Sequence, residues 1–457
     1  MGRSYPRACV PRWLLLVVVT AAVSTPIHGQ SSNELSVSQS TKALNAEPLR
    51  ITLRDAIARA HKLSPSLATA VANARVAAGA VVQARAGVLP TLNGISEYIY
   101  TQGNGTPVGR FIASNGVHEY IAQANVHEAL SGPLLFQYRR ATLLKAVAAD
   151  QTAIAERGLL VTVVQAYSTL YGAHGKVTTA EETLAAARNF VTITEERQKN
   201  GDAAYADVLK ARIQADDTES AVDNAKLTLE QSRVALALLI FKDVNQAYDL
   251  AEDPSLVLSL PSRDEAQAWA SSSNPELDAA EKTARAAGKD LTAARLGFLP
   301  SLSLDYNYGI DANQFATEFP LPDGRTAQNL GYSAVGSLNM PIFTWGSTWS
   351  KVRDASSLKQ SADTSLHFAR QKAIGDFHVF YQSAQVAQHD LQIRRQAYDD
   401  AVQSRKLTLL QYRGGLATAL EVVAAESAVD TESAALYDAK TRYATAIANL
   451  ATLTGRL

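Results

Sequence analysis

Gly87-Val-Leu-Pro-Thr-Leu92 returns as Gly297-Phe-Leu-Pro-Ser-Leu302, 210 residues later. The copies extend outward without a gap from Ala60 to Tyr100. Ser64-Pro-Ser-Leu67 stands over Asn274-Pro-Glu-Leu277, Arg85 over Arg295, and Tyr98 over Tyr308. A repeat of this length sets the architecture before any local reading does. In both copies the hydrophobic period changes at Gly-x-Leu-Pro. Upstream, Leu53, Ile57, Ala60, Leu63, Leu67 and Val71 recur every three or four residues, which predicts helix from Leu49 to Ala86 with a boundary at Ser64, before Pro65. Downstream, Leu302, Leu304, Tyr306, Tyr308 and Ile310 alternate with Ser301, Ser303, Asp305, Asn307 and Gly309, as in a strand with one apolar and one polar face.

Alternation resumes from Leu330 to Ile342 after a run rich in Gly, Pro and Asp, so the second copy reads as a hairpin with strands at about 301–310 and 329–343. The first copy gives strands at about 91–102 and 117–130, joined by a loop from Gly103 to Gly116, with Glu128 breaking the apolar side. Each strand is about 11 residues, the length that crosses a bilayer at a tilt. Helical hairpins follow at about 133–241 and 347–457. Their long arms would each run about 100 Å at 1.5 Å per residue. Frequent alanine suits close coiled-coil packing, while Gly172, Gly175 and Gly375 are candidate interruptions. The hairpins repeat at an offset of 214, Gly201 matching Gly415 and Asp207 matching Glu421.

The chain therefore reads as a mainly α protein with a pair of membrane β hairpins, duplicated as helix-strand-strand-helix-helix. The first structural repeat covers 49–250 and the second 251–457. Residues 1–29 carry Arg3, Arg7 and Arg12, an apolar core from Trp13 to Val19 and a small-residue exit, the pattern of a signal peptide cleaved after Ser24 or Gly29. Residues 30–48 read as a polar N-terminal arm. The one cysteine, Cys9, leaves with the signal. The remaining 40 basic and 44 acidic residues give a net charge of −4, which argues against nucleic acid as a partner. No apolar run of 18 or more follows residue 29, which argues against a membrane helix.

Four amphipathic strands cannot close a barrel. An open edge in hydrocarbon leaves backbone groups unpaired at several kcal/mol each, so copies must pool their strands. Helices this long must project from the membrane, and a barrel continued by a helical tube is a conduit.

On these residues the sequence resembles the TolC family of outer-membrane efflux proteins. The likeness is carried by the two Pro-x-Leu helix starts, by Leu89-Pro90-Thr91-Leu92 and Leu299-Pro300-Ser301-Leu302, by Pro341-Ile342-Phe343-x-x-Gly346, and by Tyr412-x-x-Gly415 followed by Glu421-Val422. The resemblance implies a homotrimer with a twelve-stranded β-barrel in the outer-membrane lipid, continued by a long periplasmic α-helical barrel that narrows at its tip. It implies docking to a periplasmic adaptor protein and an inner-membrane pump, which supplies the energy. Gly201, Asp207, Tyr412, Gly414, Gly415 and Glu421 would then form the tip or gate. A carboxylate ring there would favour cations; a solvated helix-start carboxylate is the simpler reading of Asp207 and Glu421. In the first copy Gln198 stands where Tyr412 would be, and Tyr205 replaces a small residue.

Gly87, Pro90, Gly297 and Pro300 read as joints between helix and strand, the glycine bending and the proline barring the helix. Phe343, Trp345 and Trp349 fall where an interfacial aromatic belt would lie, core packing being the alternative. His367, His378 and His389 share a helix face but lie about 16 Å apart, too far for one chain to bring them to a single metal. No phosphate loop, nucleophile elbow or paired metal motif is present, so neither enzyme chemistry nor a cofactor is expected. The competing class is a periplasmic adaptor or structural coiled-coil protein without a pore.

Overall fold

The computed structural model describes residues 49–101 and 118–456. The signal peptide, the arm and the loop read from Gly103 to Gly116 lie outside the described residues. The order is β1 (Leu49–Ile51), α1 (Leu53–Leu63), α2 (Pro65–Ala86), β2 (Thr91–Tyr100), β3 (His118–Leu130), α3 (Gly132–Lys199) and α4 (Tyr205–Ile240). After these come β4 (Tyr248–Leu250), α5 (Pro254–Val257), α6 (Arg263–Ser272), α7 (Pro275–Leu296) and β5 (Ser301–Ala312). The chain ends with β6 (Glu318–Pro320), β7 (Thr326–Gln328), β8 (Leu330–Asn339), α8 (Ser347–Arg413) and α9 (Ala419–Thr454).

Leu49 to Ile51 form a strand and not the start of a helix. Thr52 and Asp55 close a capping box that starts α1 at Leu53, and the freed residues pair in parallel with Tyr248–Leu250. This small sheet sits beside the largest core cluster, where Tyr167 donates to the carbonyls of Ile51 (3.1 Å) and Glu252 (3.3 Å). Asp253 caps α5 and receives Lys440 at 2.7 Å, tying the link between the repeats to α9.

The glycines do not interrupt the long arms: α3 runs 68 residues and α8 runs 67. Gly175 serves packing instead, whereas Gly172 has ordinary room, its Cβ falling 3.5 Å from Thr441 Oγ1. A Cβ on Gly175 would fall 2.0 Å from Cζ of Tyr437, so glycine here makes room for that ring of α9 against α3. Although it lacks an unbroken apolar run, α2 is long and apolar enough by composition to cross a bilayer, yet it packs along α3.

The four long strands form one antiparallel sheet in the order β2-β3-β5-β8. Each strand continues into a helix, and the helices beneath pack in the matching order α2-α3-α7-α8. Farther from the sheet the order is α4-α3-α9-α8, with α4 and α9 in the places of α2 and α7. Sheet and helical wall are thus four elements wide at every level. The strand expected to reach residue 343 stops at Asn339, because Pro341 has no N–H to give the ladder.

Candidate functional site

In β5, Leu302, Leu304, Tyr306 and Tyr308 are exposed, while Ser301, Ser303, Asp305 and Asn307 between them are half-buried. This alternation is inverted relative to a water-soluble sheet. The covered face is polar: Asn125 Nδ2 donates to Asn307 Oδ1 at 2.8 Å, His127 Nδ1 lies 2.8 Å from Asp305 Oδ1, and Asn307 Nδ2 donates to Ser333 Oγ at 3.4 Å. The register places Asn125 opposite Asn307 and His127 opposite Asp305, so the polar rows of the two hairpins meet. The polar row of one hairpin is legible in its alternation, whereas the seam between the two depends on long-range register. Glu128 pairs across from exposed Leu304 on the apolar face.

The apolar face continues past the sheet. Ile342 is 91% and Trp345 89% exposed, Phe343 and Trp349 are exposed as well, and the Phe343 and Trp345 rings meet edge-on at 4.9 Å. Core packing is therefore not their role within one chain. Trp345 has φ +50, a left-handed conformation that is costly for a bulky residue, and Gly346 follows at φ +78.

The helix-to-strand joints are alike. From Val88 and Gly297 onward each helix tightens into i to i−3 hydrogen bonds, ending at Leu89 and Leu299, one residue before Pro90 and Pro300. Both glycines hold ordinary helical angles, φ −68 and −65, so the bend draws on no special freedom of glycine. The glycine at 297 sits in the tighter space: its Cβ would meet the Ala294 carbonyl at 3.1 Å, whereas Gly87 has ordinary room at 3.6 Å.

At the far end, two turns link α3 to α4 and α8 to α9. Gly201 (φ +85) and Gly415 (φ +75) are left-handed, and Gly414 is helical. Tyr412 is 4% exposed, with its ring edge-on to Phe190 at 5.1 Å. Arg197 lies over that ring at 4.9 Å, donates to the Tyr412 carbonyl, and reaches the Asp202 carbonyl at 3.4 Å. Arg197 thus bolts the two turns together, a role without a signal in the repeat, since its position depends on contact between the halves. Tyr412 anchors this core. Asp207 sits 3.3 Å from Lys210 of its own helix. Glu421 closes a capping box: its Oε2 accepts from the Thr418 amide (2.6 Å) and hydroxyl (3.0 Å). Those bonds, the amide first, hold its carboxyl below the usual range. The three histidines stay apart; His378 Nδ1 lies 3.1 Å from Arg263. Among the described residues no group of three His, Cys, Asp or Glu is placed to hold a metal ion.

An inside-out sheet running strand by strand into a helical wall defines a membrane channel protein. Residues 56–240 and 269–456 match the family described as outer membrane efflux protein, and the chain belongs to that family. The two matched segments fall one in each repeat. The chain is 23% identical over 430 residues to outer membrane protein TolC of Vibrio cholerae serotype O1, covering 93% of this chain and 95% of that one. The fold superposes on the Campylobacter jejuni CmeC outer membrane channel with a TM-score of 0.74 at 18% identity, covering 88% and 85% of the two chains. The outer membrane protein VceC of Vibrio cholerae gives 0.75 at 22%, covering 88% and 96%. The protein belongs to the outer membrane, with its helical part in the periplasm.

Proposed function

We propose that three copies of this chain close into one passive export duct, fed in the periplasm by an adaptor protein and an inner-membrane pump. The observation that carries this reading is the four-wide sheet with its apolar face outward and two open edges, β2 and β8. Those edges run in opposite directions, so β8 of one copy extends β2 of the next in the same antiparallel sense. Closure removes both edges from hydrocarbon. Three copies give twelve strands and, at each level below, twelve helices.

The helical edges support the same closure. Ile213, Leu227 and Val234 of α4 are exposed at intervals of 14 and 7 residues, and so are Leu407, Ile393 and Val386 of α8. Laid antiparallel, Ile213 meets Leu407, Leu227 meets Ile393 and Val234 meets Val386. The two polar interruptions, Ser220 and Asp400, then coincide as well. Purified protein in a planar bilayer should give discrete conductance steps. A water-soluble protein without conductance would overturn the duct in favour of a periplasmic coiled-coil protein.

The tip turns, Gly201 and Gly414-Gly415, would form the periplasmic entrance, with Glu421 contributing a carboxylate ring. Glu421→Gln tests this cleanly, because glutamine also serves in a capping box and only the charge is lost. Cation preference should fall; unchanged selectivity removes Glu421 from the constriction.

A further inference from the structure

The strands β2, β3, β5 and β8 contain no lysine or arginine, and the basic side chains gather immediately beneath them. The ten residues of α2, α3, α7 and α8 nearest the sheet hold seven basic side chains against two carboxylates, Asp290 and Asp354. That level carries a net charge of +5, whereas the whole chain carries −1. Asp290 is already neutralised by Arg140 at 2.6 Å. Arg139 and Lys289 lie on the Phe136 ring, at 5.0 and 5.8 Å from its centroid, and Arg353 lies 5.8 Å from that of Trp349. Among the described residues none of these three cations has a carboxylate partner. Aromatic faces position them and leave their N–H edges free.

Their height is fixed by the exposed belt. Leu338, Met340, Ile342, Phe343, Trp345 and Trp349 descend from the sheet in an exposed apolar series, and Arg353 follows one turn after Trp349. Cations just on the water side of an aromatic belt stand at the level of lipid phosphates. We propose that this collar binds the phosphate groups of anionic phospholipids in the periplasmic leaflet of the outer membrane. The proposal rests on the membrane reading above. Each cation engaged at an anionic surface is worth about fivefold in affinity, and salt screens it.

The test uses the full protein in vesicles of phosphatidylcholine containing phosphatidylglycerol. One lipid or the other is brominated, and quenching of Trp345 and Trp349 fluorescence reports its occupancy beside the belt; Trp269 on α6 supplies an unquenched background. Phosphatidylglycerol should outcompete phosphatidylcholine about fivefold or more at ~0.1 M salt. The preference should approach parity at ~1 M salt, and also in R139Q/K289Q/R353Q, a variant whose circular dichroism verifies that it is folded. Equal quenching by the two lipids overturns the collar and leaves the membrane placement standing. A preference that survives in the folded triple variant also overturns it. Quenching by neither lipid overturns the membrane placement and the collar with it.

Discussion

Glu426 of α9 is 2% exposed and faces Arg405 of α8, yet Glu426 Oε2 and Arg405 Nη1 each lack a hydrogen-bond partner among the described residues. Burial pushes the Glu426 carboxyl up to about 7, against the opposing pull of Arg405, and burial raises Asp430 one turn away as well. The sign follows from linkage. A protonated Glu426 carries no charge to desolvate, so its contribution to stability is intact below the ordinary carboxyl range and is lost as pH rises through about 7. Glu426→Gln should therefore raise the thermal midpoint at alkaline pH by the equivalent of on the order of 2 kcal/mol, and change it little at acidic pH. Melting curves across that range check it; a variant equally stabilised at every pH would show that the carboxyl does not titrate there. Nothing in the sequence marks Glu426, because glutamate is ordinary on a helix and only the packing of α3, α8 and α9 buries it. Gly175 is the opposite case. It is visible as an anomaly, but its meaning is supplied by Tyr437 across the interface.

The turns between helices show what short sequence signals can and cannot convey. Glu421 reads as a helix-start carboxylate and α9 does begin just before it, as α2 and α7 begin at their prolines. Removing the Thr418 hydroxyl takes an acceptor from the Glu421 amide and a donor from its carboxylate. Thr418→Ala should cost about 1 kcal/mol, felt locally. Amide hydrogen exchange in the first turn of α9 should then speed up about fivefold while exchange around Tyr443 stays unchanged. Uniform acceleration would mean that the cap stabilises the whole wall and not just the turn. The extended segment before α1 and the early end of β8 depart from the sequence pattern for one shared reason. Apolar periodicity runs on through Leu49–Ile51 and Met340–Phe343, while the backbone is diverted by a cap in the first case and by Pro341 in the second.

At the scale of the molecule, what the sequence conveyed was the repeat, and the repeat dictates the four-wide wall. It could not convey the spatial order of the elements, which the sheet sets and the helices copy. That order leaves α4 and α8 at opposite edges of the wall, each with an exposed apolar series that no helix covers among the described residues. Ring closure makes a register-specific prediction, and the chain suits it because its one cysteine lies in the segment read as the signal peptide. Ile213→Cys with Leu407→Cys in the same chain should cross-link between copies on mild oxidation, giving reducible dimers and trimers in denaturing gels. Ile213→Cys with Ile393→Cys shifts one partner by 14 residues, about 21 Å along the helix, far beyond the reach of a disulfide. That pair should stay monomeric under the same oxidation. All three positions are exposed in the single chain, so neither pair should unfold it. Equal cross-linking by the two pairs, or none by the first, would show that α4 and α8 do not meet in this register and that the helical tube closes along some other seam.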